Sequence, residues 1–235
     1  MLEIKNINYT IAEKTILQNI NLQFQDGEIT VITGGNGSGK STLFNIIMGI
    51  LHQDSGEIML DNQNISDDKV DERAKKSLSL AFQQPVKFKG ITVKKLLEIA
   101  QNKVGNINSA CEELSKVGLC ARNYIDREFN DELSGGERKR IELALSLAQD
   151  AKNCLFDEPE AGIDMWSFDA LTEIFENLKK QGKCVVIISH NQKILEMAEK
   201  VVVLNGGKIE YFGVNDGIEN ILPSACVRLK GDLNG

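Results

Sequence analysis

Gly34-Gly35-Asn36-Gly37-Ser38-Gly39-Lys40-Ser41-Thr42 fits G-x-x-x-x-G-K-[ST], the pattern of a phosphate-binding loop, and each letter has a physical reason. Glycines let consecutive backbone N–H groups converge on phosphate oxygens with no Cβ in the way. A helix that opens from the loop adds the positive potential of its N-terminal amides. Lys40 can reach β- and γ-phosphates, and the Ser41 hydroxyl can ligate Mg²⁺. The flanks supply the context such a loop needs. Glu28-Ile29-Thr30-Val31-Ile32-Thr33 reads as a strand entering it, and Leu43, Phe44, Ile46, Ile47 and Ile50 recur at helical spacing after it. The bland alternative is a flexible glycine-rich turn, and the order strand, loop, helix argues against it.

Downstream, Cys154-Leu155-Phe156 is an apolar run that delivers Asp157 and Glu158 to its end, where Pro159 stops it. Open α/β sheets bind ligands at that carboxyl edge. Asp157 can hold Mg²⁺ through water, and Glu158 can polarise an attacking water as general base. The run Cys184-Val185-Val186-Ile187-Ile188-Ser189 ends at His190, from which a γ-phosphate is a plausible contact, although a lone histidine is more often structural. Gln83 closes residues 77–82 in the same way, and its amide can touch Mg²⁺ or the attacking water. Leu133-Ser134-Gly135-Gly136-Glu137 precedes a long helix expected from Gly135 to about Gln149. Its start is either an anion site or a serine N-cap with permissive glycines, and the letters leave both open. Tyr9 is either an adenine-stacking ring or a half-buried strand aromatic.

The remaining elements follow from periodicity. Residues 2–33 read as short strands with a turn at Asp26-Gly27, and Gly49 ends the helix after the loop. A strand is expected at 56–61, a short polar helix at 71–76 and a buried strand at 77–82. Val93, Leu96, Leu97 and Ala100, then Cys111, Leu114 and Val117, give a small helical insert within 86–130. After the long helix come strand 153–156, helix 167–181, strand 184–189, helix 191–199 and strands near 201–204 and 208–212. Strands alternating with helices imply a mostly parallel sheet covered on both faces.

Composition narrows the function. The 235 residues carry a net charge of −7, which argues against a nucleic-acid partner because no positive excess displaces counterions. No stretch approaches the roughly 18 apolar residues of a membrane span, and the N-terminus lacks the apolar core of a secretory leader. No direct membrane insertion is therefore expected. Five cysteines without C-x-x-C spacing fit free thiols in a reducing cytoplasm. Cys154 and Cys184 read as core thiols.

The ordered set of motifs resembles the ATP-binding cassette (ABC) ATPases. It contains an aromatic (Tyr9), Walker A (34–42), Q-loop (Gln83), signature (133–137), Walker B (154–158), D-loop (160–164) and switch histidine (His190). The resemblance covers nearly the whole chain. It implies an α/β P-loop NTPase fold in one domain over 1–235, with a mostly parallel sheet. Residues 1–85 and 135–235 would form the catalytic core, with an N-terminal antiparallel β-subdomain, and about 86–134 a helical subdomain. It implies ATP and Mg²⁺ as cofactors and a head-to-tail homodimer formed on ATP binding. Tyr9, Gly34 through Thr42, Ser134, Gly135, Gly136, Glu137 and Asp164 would contact nucleotide. Ser41, Gln83 and Asp157 would serve the metal, and Glu158, His190 and Gln83 the chemistry.

Within the superfamily, transporter subunits usually read LSGGQ and T-S-A-L-D. This chain reads LSGGE followed by Arg138-Lys139-Arg140, and Glu160-Ala161-Gly162-Ile163-Asp164. Those details are similar to the SufC-like ATPases of iron–sulfur cluster assembly. So are Asp71-Glu72-Arg73-Ala74, Leu80-Ala81-Phe82-Gln83-Gln84-Pro85, Arg127-Glu128-Phe129-Asn130 and His190-Asn191-Gln192. The likeness implies a SufB/SufD-like scaffold as partner. The stretch between Gln83 and Ser134 is shorter than that branch usually has, and Gly35 stands where proline is common. The alternative is the ATP-binding subunit of a membrane transporter. A further expectation is a resting pair between Arg138 and Glu158 that holds the base away from catalysis.

Overall fold

The computed structural model describes residues 1–83, 90–101, 107–162 and 165–216, and not the side chains of 107–109 and 165–167. In chain order it forms β1 (Leu2–Ile11), β2 (Lys14–Phe24), β3 (Ile29–Thr33), α1 (Lys40–Ile47), β4 (Ser55–Leu60) and β5 (Gln63–Asn64). Then come α2 (Val70–Lys75), β6 (Leu78–Ala81), α3 (Val93–Ala100), α4 (Ile107–Lys116), α5 (Ala121–Tyr124) and α6 (Gly135–Ala148). The chain continues through β7 (Asn153–Asp157), α7 (Met165–Lys180), β8 (Cys184–Ile188), α8 (Gln192–Glu196), β9 (Lys200–Asn205) and β10 (Lys208–Val214).

Six strands make one sheet in the order β10-β9-β3-β8-β7-β6, parallel except for β10. Every residue of β3, β7 and β8 is buried, as continuous apolar strands covered on both faces should be. Alternate residues serve the two faces. Val31, Phe156, Val185 and Ile187 pack toward α6, α7 and the α3–α5 block, and Phe156 meets Phe175 of α7 with ring centres 4.9 Å apart. Ile32, Leu155, Val186 and Ile188 pack toward Leu43, Phe44, Ile46 and Ile47 of α1. The same core is closed by an antiparallel sheet, β2-β1-β4-β5, through Leu2, Ile4, Ile7, Leu17, Ile20 and Phe24.

Register fixes the site. Ile32 of β3 lies opposite Ile188, and so does Asp157 of β7. The phosphate loop, the acidic pair and the segment entering His190 therefore leave one sheet edge together, the carboxyl edge of the parallel strands.

Some expectations shift. The strand expected at 20–24 starts at Lys14, because its first half sets adjacent Ile16 and Leu17 between exposed polar residues and breaks the alternation that marks 20–24. Helix α8 is shorter than the expected 191–199, starting after the N-cap Asn191. The expected polar helix at 71–76 holds one of the most buried side chains of the chain. Arg73, 1% exposed, donates to the carbonyls of Ile46, Ile47, Ser66 and Asp68. It thereby serves the last carbonyls of α1, that of Ile46 shared with the Gly49 N–H. Gly49 does end that helix, at φ 76°.

Candidate active site

The phosphate loop keeps its shape by close approach. Gly34 has φ 142° and Gly39 has φ 102°, both outside the range that side chains tolerate. Gly39 N-caps α1 and lies against Leu17, the partner of Tyr9 across β1 and β2. Tyr9 is thus one strand away from the loop, half-buried against the core that holds α1. Gly35, Asn36 and Gly37 are exposed, whereas Ser38, Gly39 and Lys40 are buried. The Lys40 ammonium sits inside the loop, donating to the carbonyls of Gly34 (2.7 Å) and Gly35 (3.0 Å). Burial lowers its pKa, while Glu158 and Asp157 pull it back up. Ser41 and Thr42 lie in the first turn of α1.

Asp157 ends β7 and is buried. Burial raises its pKa, and the neighbouring Ser41 hydroxyl lowers it in part. Its Oδ1 is buried and has no partner among the described residues. An orphaned carboxylate oxygen beside a serine hydroxyl is a set of hard oxygen donors that suits Mg²⁺. The residues present fit that ion.

Glu158 follows with φ 46°, a left-handed conformation that a non-glycine residue adopts at a cost. Its N–H donates to the Ile188 carbonyl, which ties it to β8. Gln83 Nε2 donates to Glu158 Oε2 at 2.6 Å. Gln83 therefore engages the acidic residue directly. The expected Arg138–Glu158 pair is absent: Arg138 bonds Asp131 at 2.7 Å, and Glu158 receives Gln83 instead. His190 Nδ1 lies 3.4 Å from Thr33 Oγ1. Burial, then the Lys40 charge, lower its pKa, which favours the neutral ring. Ser189 Oγ donates to Glu160 and accepts from the Asn191 N–H, so the histidine segment is held by a carboxylate just past the Walker B end.

At the start of α6, Ser134 is the N-cap. Its hydroxyl accepts from the Glu137 N–H, and Glu137 Oε2 accepts from the Ser134 N–H at 2.7 Å. Tyr124 donates to the other Glu137 oxygen at 2.7 Å. These donors, Tyr124 first, hold the Glu137 pKa down to about 2. Both carboxylate oxygens of Glu137 are thus used within the chain, while Ser134 and Gly135 are exposed. Gly136 approaches the Gly162 carbonyl, 3.2 Å from where a Cβ would sit. Asp164 lies outside the described residues.

Sequence reasoning missed Lys139, Glu142 and the Glu160–Ser189 contact. Lys139 and Glu142 are buried on one face of α6 at i, i+3. The available signal was a pair of charges on a helix face that also carries Ser146, and it means something only once that face is known to be covered.

The sequence profile of the family described as ABC transporter matches residues 17–161. This chain belongs to the ABC transporter ATPase family. An uncharacterized ABC transporter ATP-binding protein, MJ0035 of Methanocaldococcus jannaschii, is 36% identical over 89% of this chain and 87% of its own length. The glutamine transport ATP-binding protein GlnQ of Escherichia coli is 32% identical over 89% of each chain. A dimeric, post-hydrolysis structure of the ATP-binding cassette MJ0796, bound to ADP and Pi, superposes with a TM-score of 0.81. It is 26% identical and matches 93% of this chain and all of that one. The chain is an ABC ATPase, and among its described residues no helix is long and apolar enough to cross a membrane.

Proposed function

We propose that this ABC ATPase is the motor of an iron–sulfur cluster assembly machine. Two copies close head to tail on ATP, hydrolyse it, and move a SufB/SufD-like scaffold docked near the Q-loop and helical block. The observation that carries the hydrolytic reading is the 2.6 Å contact from Gln83 to Glu158 at the carboxyl edge of the sheet.

The loop N–H groups and Lys40 hold the phosphates of ATP, with Tyr9 against the base. Ser41, Asp157 and Gln83 hold Mg²⁺, which neutralises charge on the phosphate oxygens when bound. Gln83 occupies one oxygen of Glu158 and leaves the other to accept a proton from the attacking water. Thr33 orients the neutral imidazole of His190, whose other nitrogen faces the γ-phosphate. Ser134, Gly135, Gly136 and Glu137 of the opposing copy, with Asp164, complete the site. Ser134 and Gly135 are exposed at the start of a 14-residue helix, which suits that role.

The choice of scaffold rests on sequence: LSGGE, the Arg138-Lys139-Arg140 run and the Glu160–Asp164 loop. The competing reading is a transporter subunit, favoured by the names of the relatives MJ0035 and GlnQ. Glu158→Gln should slow hydrolysis by about 10²–10⁴-fold, and unchanged turnover removes Glu158 from the base role. A detergent-free purification from native cytosol separates the partners. Co-purification with a soluble protein that carries or accepts an iron–sulfur cluster supports assembly. Release only with a polytopic membrane protein replaces it with transport.

A further inference from the structure

Among the described residues, strand β6 is the edge of the six-stranded sheet and pairs only with β7. Where it runs out, at Phe82 and Gln83, the chain is gripped by α6. The Phe82 N–H donates to Glu142 Oε1 at 2.9 Å, and Lys139 donates to the Phe82 carbonyl and, at 3.2 Å, to the Gln83 carbonyl. Lys139 is 4% exposed and Glu142 is 8% exposed, and they lie 3.4 Å apart. A buried lysine–glutamate pair is a costly way to pack a helix, since residues of similar volume without charge often serve stability as well or better. What the pair adds is direction: it binds both backbone polar groups of Phe82, next to the residue whose side chain holds Glu158.

We infer that Lys139 and Glu142 are positioning residues for hydrolysis, fixing the Gln83 backbone so that its amide sets the Glu158 carboxylate. The inference rests on the reading of Glu158 as general base. It makes α6, which begins at the signature residues, the element that orients the base of its own subunit. Motion of α6 by a fraction of an ångström is carried by three hydrogen bonds to Phe82 and Gln83, then by one to Glu158.

The test is steady-state ATP hydrolysis and thermal melting of the full chain. Lys139→Met/Glu142→Leu should melt below the wild-type temperature, because Phe82 and Gln83 lose three hydrogen bonds. Measured below that transition, it should keep KM for ATP within about twofold and lose about 10- to 100-fold in kcat, the size expected when a catalytic group is misplaced by about 1 Å. Glu142→Gln keeps an oxygen for the Phe82 N–H and its shape, and should lose kcat severalfold at unchanged KM. Adding Gln83→Ala to the double variant should lower kcat little further, because the two changes break one chain of contacts. Lys139→Arg should recover most of the activity. Wild-type kcat in both the double variant and Glu142→Gln overturns the inference, and so do effects of the double variant and Gln83→Ala that simply multiply. If the double variant fails to fold, Glu142→Gln alone decides. Glu158→Gln in the same assay separates the two ideas. An inactive Glu158→Gln beside fully active clamp variants ends this inference alone, whereas an active Glu158→Gln ends the base assignment.

Discussion

A Cβ on Gly34 would lie 1.9 Å from the Leu204 carbonyl oxygen, and the residue's φ of 142° suits glycine alone. Its neighbour Gly35 has no atom of the described residues within 4 Å of the same position. The pattern demands glycine at the first of these positions and leaves the second open, as the two environments require. Gly34→Ala must shift β9 or the loop and is expected to cost about 2–5 kcal/mol, from backbone strain and overpacking. That should lower the melting temperature by about 5–15 °C and weaken ATP binding. Gly35→Ala should melt within about 2 °C of wild type and still bind nucleotide. Thermal melting with a fluorescent ATP analogue checks both, and equal losses would show that the loop tolerates neither. At this scale the sequence was generous where a residue acts alone at a strand end. Lys40, Asp157 and Glu158 were legible because a loop or apolar run points at them. Gln83 was legible as the end of a strand, but its bond to Glu158 was not, since no spacing says which side chain an amide will face across 75 residues.

Among the elements, α1 carries the phosphate loop at its start and is locked at its end by Arg73 of α2. The guanidinium serves carbonyls of α1 at Ile46 and Ile47, each at 2.7 Å, and of Ser66 at 2.6 Å. Removing it leaves the Ile47 and Ser66 carbonyls unpaired among the described residues, at about 1–3 kcal/mol each, while the Ile46 carbonyl keeps the Gly49 N–H. Arg73→Met should therefore destabilise by at least about 2 kcal/mol, or about 4–8 °C in melting temperature. Nucleotide affinity measured below the transition should stay near wild type, because the loop end of α1 is held by Leu17 and Leu204. A melting point within about 2 °C of wild type would mean that water replaces the guanidinium. The order of strands and helices could be read from apolar periodicity, and the long α6 was expected within a residue of where it ends. Arg73, Lys139 and Glu142 could not be read that way. Periodicity counts apolar residues, whereas these are buried polar groups whose value comes from backbone atoms on other elements. The Arg138–Glu158 expectation failed for a related reason. Arg138 and Lys139 are adjacent in sequence, yet they lie on different sides of α6, one toward Asp131 and the other toward Phe82.

For the whole molecule, a head-to-tail dimer brings together two chains that each carry a net charge of −7. Their mutual repulsion opposes closure, and the bound nucleotide adds negative charge before Lys40 and Mg²⁺ offset it. Salt screens such repulsion over a Debye length of about 10 Å at 0.1 M, while contacts buried at the nucleotide are screened much less. Closure should therefore strengthen as salt rises from about 0.01 M to about 0.15 M, the reverse of a complex held by surface ion pairs. Glu158→Gln with MgATP is the species to follow, because slow hydrolysis keeps the nucleotide intact. Light scattering after gel filtration should find it dimeric with ATP and monomeric with ADP, with the dimer fraction rising over that salt range. Ser134→Arg, which places a bulky charge at the exposed start of α6, should abolish the dimer yet leave ATP binding by the monomer unchanged. A monomer with ATP at every salt concentration would mean that closure needs the scaffold. A dimer indifferent to both nucleotide and Ser134→Arg would mean that the copies meet through another face.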